Sequence, residues 1–184
     1  MKSHESVAMW DGVSYGSGCR GGSVTSGGTL RTEKSEAIRD MFLGDYQHTL
    51  DAKGRVSLPA KFRAEMAGRL VVAKGFEGCL SVYSVEEFDR FVGTLMAKQD
   101  FDPEVRLLRR KLTSGAQEVE LDSAGRISLT QQLREYAGLK KDVAVTGNGD
   151  RIEIWDSERW ATYTGEDGGS IEGLASKLAT AGQL

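Results

Sequence analysis

Two arginines, Arg55 and Arg126, hold the same position in two copies of one nine-residue motif. The copies, Leu50–Leu58 and Leu121–Leu129, are identical at six of nine positions and lie 71 residues apart. A guanidinium group on an exposed edge can grip a phosphate or contact O6 and N7 of guanine together. The same group can form an ion pair with a nearby carboxylate such as Asp51. Both interpretations of the paired arginines stay open at this point.

The arginine of each copy follows an Asp-x-x-Gly segment that is typical of a tight turn. Asp51 can accept hydrogen bonds from backbone N–H groups of the turn, and Gly54 can supply a positive φ at its end. A type I turn closed by a glycine bulge fits this spacing. Beyond the turn, Val56 and Leu58 alternate with Arg55, which places the arginine on the face opposite the apolar pair. We therefore expect the aspartate and the glycine to form the turn rather than to bind a ligand.

The duplication extends over about forty residues, from 50 to 91 and from 121 to 163. Each copy predicts the order strand, turn, strand, helix, strand, turn, strand, helix. Pro59 suits the start of the first helix, Thr130 replaces it in the second copy, and Ser84 suits the cap of a later helix. A strand pair with one short helix buries too little area to be stable alone. The two copies are therefore expected to intertwine into one pseudo-twofold domain.

Composition divides the chain further. Residues 1–40 are rich in Gly, Ser and Thr without apolar periodicity, so they predict a disordered leader or extension. Met41 begins a different pattern, and we expect the natural start to lie at or close to it. The predicted segments are the leader (1–40), the first repeat (41–99), a connecting helix (100–115), the second repeat (116–163) and a flexible C-terminal tail (164–184).

The residues of the chain argue against several classes of protein. Two cysteines and two histidines supply neither a disulfide framework nor the spacing of a metal site. The sequence contains no nucleophile–base pair and no phosphate-loop motif, so we predict neither an enzyme nor a cofactor. It also lacks both a signal-peptide core and a run of about 18 apolar residues, which predicts a cytosolic protein without a membrane partner.

Charge is distributed unevenly between the two repeats. The whole chain has a net charge of −3, which argues mildly against binding to nucleic acid. Residues 41–99 carry eight basic and seven acidic side chains, whereas residues 112–163 carry six and nine. Near the first motif the basic residues predominate: Lys53, Arg55, Lys61 and Arg63 stand against Asp51 alone. The first repeat is therefore the better candidate for contact with phosphate.

The doubled Asp-x-x-Gly-Arg motif, the Ser57-Leu58-Pro59 helix start and the opening Met41–Gly44 together resemble the MraZ family. This family is a bacterial branch of the swapped-hairpin, AbrB-like DNA-binding fold, and the resemblance covers about residues 41–163. It implies an α+β fold in which two tandem AbrB-like β-hairpin/helix repeats intertwine. The product would be one pseudo-twofold, β-barrel-like domain with peripheral helices.

The resemblance also implies a function. It predicts a sequence-specific transcriptional regulator that binds double-stranded DNA at direct repeats upstream of the division and cell-wall gene cluster. It further implies a homo-oligomeric ring, located in the cytoplasm and associated with the nucleoid. The alternative is a ring-forming interaction or assembly protein for which DNA binding is incidental.

The same resemblance suggests where DNA is contacted. The family's DNA-contacting arginine falls on Arg55, with Arg126 as its counterpart, and Lys53 and Arg63 match basic family positions. By their charge, Lys53, Lys61 and Arg63 are expected to hold phosphates, which set position rather than sequence preference. For Arg126, contact with DNA and an ion pair at a subunit interface remain equal alternatives.

Overall fold

A computed structural model describes residues 41–66, 68–97, 102–165 and 169–182. The leader predicted over residues 1–40 lies outside these ranges. The first repeat consists of β1 (Phe42–Thr49), β2 (Arg55–Ser57), α1 (Ala60–Glu65), β3 (Arg69–Lys74), β4 (Leu80–Ser84) and α2 (Val85–Met96). Helix α3 (Pro103–Thr113) follows it.

The second repeat has the same order of elements. It consists of β5 (Gln117–Glu120), β6 (Arg126–Ser128), α4 (Gln131–Ala137), β7 (Asp142–Gly149), β8 (Arg151–Asp156) and α5 (Ser157–Thr164). A last described helix, α6, spans Ile171–Thr180. The predicted order of strands, turns and helices is therefore confirmed in both copies.

The helices begin at the residues that the sequence indicates. Pro59 directly precedes α1, and at the equivalent position Thr130 caps α4 by accepting a hydrogen bond from the Leu133 amide at 3.4 Å. Ser84 accepts from the Glu87 amide at 3.1 Å and so caps α2. Side-chain oxygens at these positions satisfy amides that have no partner within the helix.

The two repeats exchange their first strands. Strand β1 pairs antiparallel with β7 of the second repeat, and β5 pairs antiparallel with β3 of the first. Strands β4 and β8 pair with each other in the middle, which produces the order β1-β7-β8-β4-β3-β5. Equivalent strands stand at equal distances from the centre of this order. The intertwined, pseudo-twofold arrangement expected from the repeat is thus present.

The barrel-like closure that we also predicted is not found among the described strands. The six-stranded sheet is open, and β1 and β5 form its two edges. Strands β2 and β6 pair with each other over three residues each and form a separate two-stranded ribbon. The described fold is therefore an α+β arrangement of one open sheet, one ribbon and helices.

The core lies between the ribbon and one face of the sheet. Val56 of β2 and Ile127 of β6 are completely buried, as is Phe62 of α1. The ring of Phe62 meets Phe42 and Tyr46 edge-on, at centroid distances of 5.4 and 5.2 Å. Each buried side chain of this size contributes about 1.5–3 kcal/mol to folding. Because residues of both repeats make up this core, neither repeat possesses a complete core of its own.

The other face of the sheet lies under α2 and α5. Tyr83 stacks on Phe91 of α2 at 5.5 Å, and Trp155 stacks on Tyr163 of α5 at 4.9 Å. Trp155 is buried and belongs to the core on this face of the sheet. None of the described helices combines the length and apolar character needed to cross a membrane.

Candidate nucleic-acid interface

The first Asp-x-x-Gly turn is built by its own aspartate. Asp51 Oδ1 accepts hydrogen bonds from the amides of Lys53 and Arg55, both at 2.9 Å. The Gly54 amide donates to the Asp51 carbonyl at 2.9 Å, and Gly54 adopts a φ of 74°. Glycine is favoured at this φ because it has no Cβ. The predicted turn, including its closing glycine, is confirmed.

The second turn has the same geometry. Asp122 Oδ1 accepts from the amides of Ala124 at 2.9 Å and Arg126 at 3.0 Å. The Gly125 amide donates to the Asp122 carbonyl at 2.8 Å, and Gly125 has a φ of 72°. Equal residue types at equal spacing therefore produce equal local structure in the two copies.

The ribbon brings the two turns together. The Leu58 amide donates to the Gly125 carbonyl at 3.0 Å, and the Leu129 amide donates to the Gly54 carbonyl at 2.9 Å. Each turn is thereby attached to the strand that leaves the other turn.

The paired strands also decide which way the arginines point. Val56 and Ile127 face each other in the register of the ribbon and are completely buried. Successive side chains of a strand point to opposite faces. Arg55 and Arg126 therefore lie on the outer face of the ribbon, as the alternation in the sequence predicts.

The two arginines and the two aspartates form one compact charged cluster. Arg55 contacts Asp51 Oδ2 with Nε at 2.8 Å and Nη2 at 2.6 Å, and Arg126 contacts Asp122 Oδ2 with the same two atoms, each at 2.8 Å. Across the ribbon, Arg55 Nη1 lies 3.9 Å from Asp122 Oδ2 and Arg126 Nη1 lies 3.8 Å from Asp51 Oδ2. Two positive and two negative charges meet here, so the cluster is electrically neutral.

These contacts shift the protonation equilibria of the cluster. Hydrogen bonds from the Arg55 side chain and backbone lower the pKa of Asp51 to about 2. The pKa of Asp122 is lowered chiefly by the side chain of Arg126, and the hydrogen bond to Asp122 raises the pKa of Arg126. Asp51, Asp122 and Arg126 are therefore charged at neutral pH.

The short contacts with the aspartates occupy only one edge of each guanidinium group. A guanidinium group has five N–H donors in a planar fork, and Asp51 engages only the side that carries Nε and Nη2 of Arg55. The end formed by Nη1 and Nη2 keeps further N–H donors. About 29% of the Arg55 side chain and 32% of the Arg126 side chain are exposed. The carboxylates thus hold both arginines in fixed orientations while donors remain available.

Further cations lie on the two turns and on the helices that follow the ribbon strands. Lys53 in the first turn and Lys61 in α1 are exposed. Arg63 of α1 reaches the second turn, where its Nη1 donates to the Ala124 carbonyl at 3.3 Å. Arg134 of α4 lies against the first turn. Its Nε is so close to Gly54 that a Cβ added to this glycine would come within 2.9 Å of it.

The pKa of His48 is affected by its burial and by one of these cations. Its pKa is lowered from 6.5, first by partial burial and then by the positive charge of Arg63. The imidazole is therefore largely neutral at neutral pH.

Comparison with known proteins identifies the family. The chain matches the family model described as "MraZ protein, putative antitoxin-like" twice, over residues 41–111 and over residues 112–181. It is 44% identical over 142 residues to "Transcriptional regulator MraZ" of Acetivibrio thermocellus. These residues make up 77% of this chain and 99% of the relative. The chain belongs to the MraZ family.

Other members support the same assignment. The protein of the same name from Alkaliphilus oremlandii is 41% identical over 142 residues, which are 77% of this chain and 99% of the relative. The one from Heliobacterium modesticaldum is 44% identical over 138 residues, which are 75% of this chain and 96% of the relative. The resemblance of the doubled motif to the MraZ family is therefore confirmed.

The structure places most of the predicted site residues at the two turns. Arg55 and Arg126 lie side by side, Lys53 lies in the first turn, and Arg63 contacts the second. Lys61 is exposed on α1, and no contact described for it joins it to the cluster. The ion pair between Arg55 and Asp51, which the sequence left as an alternative, is present, and the assignment of these residues to DNA stays a prediction.

Sequence reasoning missed the part played by Arg134. A signal for it exists, since Arg134 aligns with Arg63 at the offset of the repeat. What the alignment does not reveal is that each of these two arginines lies on the turn of the other repeat.

Proposed function

We propose that this chain is a sequence-specific, DNA-binding transcriptional regulator, as the names of its relatives suggest. The observation that carries this proposal is the outer face of the β2–β6 ribbon, which presents two arginines held in fixed orientations by aspartates. A two-stranded β-ribbon fits the major groove of B-DNA. A pseudo-twofold ribbon also matches the approximate twofold symmetry of the duplex.

In this proposal the arginines and the flanking cations have different roles. Arg55 uses the free end of its guanidinium group for base edges, above all O6 and N7 of guanine, and Arg126 does the same on the other half of the ribbon. Lys53, Lys61 and Arg63 hold phosphates and so provide affinity that falls with salt.

We further propose the target and the assembly that resemblance to the MraZ family implies. The target is a set of direct repeats upstream of the division and cell-wall genes, and the bound form is a homo-oligomeric ring. Several modest contacts on one ring add up to tight binding through their high effective concentration. This explains how a chain with a net charge of −3 can bind DNA. Mass photometry of the full chain, with and without a duplex that contains several repeats, tests the ring.

A fluorescence anisotropy titration tests the function. The probe is a labelled duplex taken from upstream of the chain's own gene, and a shuffled duplex of equal length is the reference. Wild type should prefer the natural duplex. Arg55→Lys keeps the charge but loses the planar fork, so the natural duplex should be bound about tenfold more weakly while the shuffled duplex is bound as before.

The control is Arg90→Ala, which removes an exposed arginine that pairs with Glu87 on α2. It should bind both duplexes like wild type. Equal affinity of wild type for the two duplexes would overturn sequence-specific binding. Equal preference of wild type and Arg55→Lys for the natural duplex would overturn the role of Arg55 and favour a protein whose main role is assembly.

A further inference from the structure

Two arginines, each on a helix of one repeat, contact the turn of the other repeat. Arg63 of α1 and Arg134 of α4 occupy equivalent positions, four residues after Pro59 and Thr130. A Cβ added to Gly125 would overlap Arg63 Nη1, and one added to Gly54 would come within 2.9 Å of Arg134 Nε. Each turn therefore has the helix arginine of the other repeat lying directly on its glycine.

These two arginines differ in charge balance from those of the ribbon. Arg55 and Arg126 are each neutralised by an aspartate at hydrogen-bond distance. Within the described part of the chain, neither Arg63 nor Arg134 has a carboxylate oxygen within 4.0 Å. The Nε of Arg134 is buried and lacks an acceptor there.

A partly buried guanidinium group without a counterion has lost some of its hydration and has gained no carboxylate in exchange. Such a group favours binding of an anion whose oxygens accept hydrogen bonds from several N–H groups of the planar guanidinium. Phosphate has this geometry. Arg63 and Arg134 are related by the pseudo-twofold arrangement of the ribbon. Because β2 and β6 are antiparallel, they consequently stand at its opposite ends.

We propose that Arg134, together with Arg63, binds backbone phosphates at the two ends of the β2–β6 ribbon. This inference rests on the proposed DNA-binding function and extends it to the second repeat. The acidic balance of residues 112–163 does not oppose it, because Arg134 lies on the basic turn of the first repeat. Because the repeats exchange strands, the positive charge of Arg134 from the second repeat lies at the surface of the first.

The test measures the dependence of DNA affinity on salt for Arg134→Gln. Glutamine keeps part of the length and polarity of the side chain but removes the charge. Between roughly 50 and 300 mM KCl, the slope of log K against log [salt] should become shallower by about 0.9, the value for one lost phosphate contact. Affinity at about 150 mM salt should fall about three- to tenfold for natural and shuffled duplexes alike.

Four further variants define the result, and Arg63→Gln alone is one of them. Arg134→Lys should keep the wild-type slope, and Arg63→Gln with Arg134→Gln should lose about twice as much slope as either alone. Arg90→Ala should leave the slope unchanged. Circular dichroism and the thermal midpoint of each variant separate loss of fold from loss of contact. A structural role of Arg134 alone would lower the midpoint without changing the slope.

The possible outcomes are distinct. A wild-type slope for Arg134→Gln, alongside a reduced slope for Arg63→Gln, would overturn the inference and leave the proposed function intact. Absence of DNA binding by wild type would instead refute the proposed function. A second arm measures stabilisation by inorganic phosphate. If Arg134→Gln abolishes this stabilisation but keeps the DNA slope, the site serves a free anion and the inference is wrong.

Discussion

Both carboxylate oxygens of Asp51 accept hydrogen bonds from Arg55. One oxygen, Oδ2, contacts Nε and Nη2 of the arginine side chain at 2.8 and 2.6 Å, and the other, Oδ1, accepts the backbone amide of the same residue at 2.9 Å. One aspartate therefore shapes the turn and orients the guanidinium group at its end. The same relationship recurs between Asp122 and Arg126.

This relationship predicts sensitivity to acid. The pKa of Asp51 falls from 3.8 to about 2 on folding, so the unfolded chain binds more protons between these values. The resulting stabilisation is fully present above about pH 4 and is lost as the pH falls towards 2. Asp51→Asn should have a lower thermal midpoint than wild type at pH 7 and a smaller decline from pH 4 downwards. A decline as steep as that of wild type, followed by circular dichroism, would contradict this account.

The turn glycine is expected to resist substitution. Gly54→Ala forces a Cβ onto a backbone with a φ of 74°, at 2.9 Å from Arg134 Nε and 3.2 Å from the Leu129 carbonyl oxygen. The positive φ alone costs about 1–2 kcal/mol for a residue with a Cβ. Urea unfolding should therefore show a loss of at least this order.

Gly93→Ala is the matched control for that substitution. Gly93 lies within α2, and an added Cβ meets no atom within 4 Å. Because alanine favours a helix more than glycine does, this variant should gain about 0.5–1 kcal/mol. Equal effects of the two substitutions would mean that the backbone of the turn does not require glycine.

His48 should report on the charge of Arg63. Burial and Arg63 lower the pKa of His48, so the unfolded chain binds more protons below 6.5 and stability is lost as the pH falls through this region. Arg63→Gln should raise the pKa only partly, because burial is the larger cause. A phosphate bound to Arg63 should also raise it. NMR titration with and without duplex, with the signal assigned by His48→Gln, measures both effects, and an unchanged pKa in Arg63→Gln would contradict them.

Cys79 should be chemically inert in the folded protein. Burial, together with the negative charges of Glu153 and Glu77, raises the pKa of its thiol to about 12. Since the thiolate is the reactive form, a Cys19→Ser variant should react with a disulfide reagent at pH 8 at least about 100-fold more slowly when native than in urea. Reaction of the native variant at the rate of a free thiol would show that Cys79 is accessible.

Local features of the fold were predictable from the sequence. The Asp51 and Asp122 turns, the positive φ of Gly54 and the cap at Ser84 all appear as expected. Each depends on groups no more than four residues apart, so residue type and spacing are sufficient to predict them. The doubled motif also predicted the right family. An intertwined domain was predictable because one copy of the repeat buries too little area to be stable alone.

Long-range relationships were predicted less well. The sequence suggested a barrel-like closure, whereas β2 and β6 form a ribbon apart from an open sheet. It also left two roles open for Arg55, and the structure shows its ion pair with Asp51 and its approach to Asp122 across the ribbon. The crossing of Arg63 and Arg134 over the turns was missed altogether.

The sequence by itself determined the two turns, the arginine that follows each and the order of strands and helices. These depend on hydrogen bonds and backbone preferences within a few residues. Only the tertiary structure decided that the turns meet, that four charges form one neutral cluster and that each helix arginine lies on the other repeat's turn. The physical reason is the exchange of strands, since the contacts it creates join residues far apart in the chain, and their geometry depends on how the shared core packs.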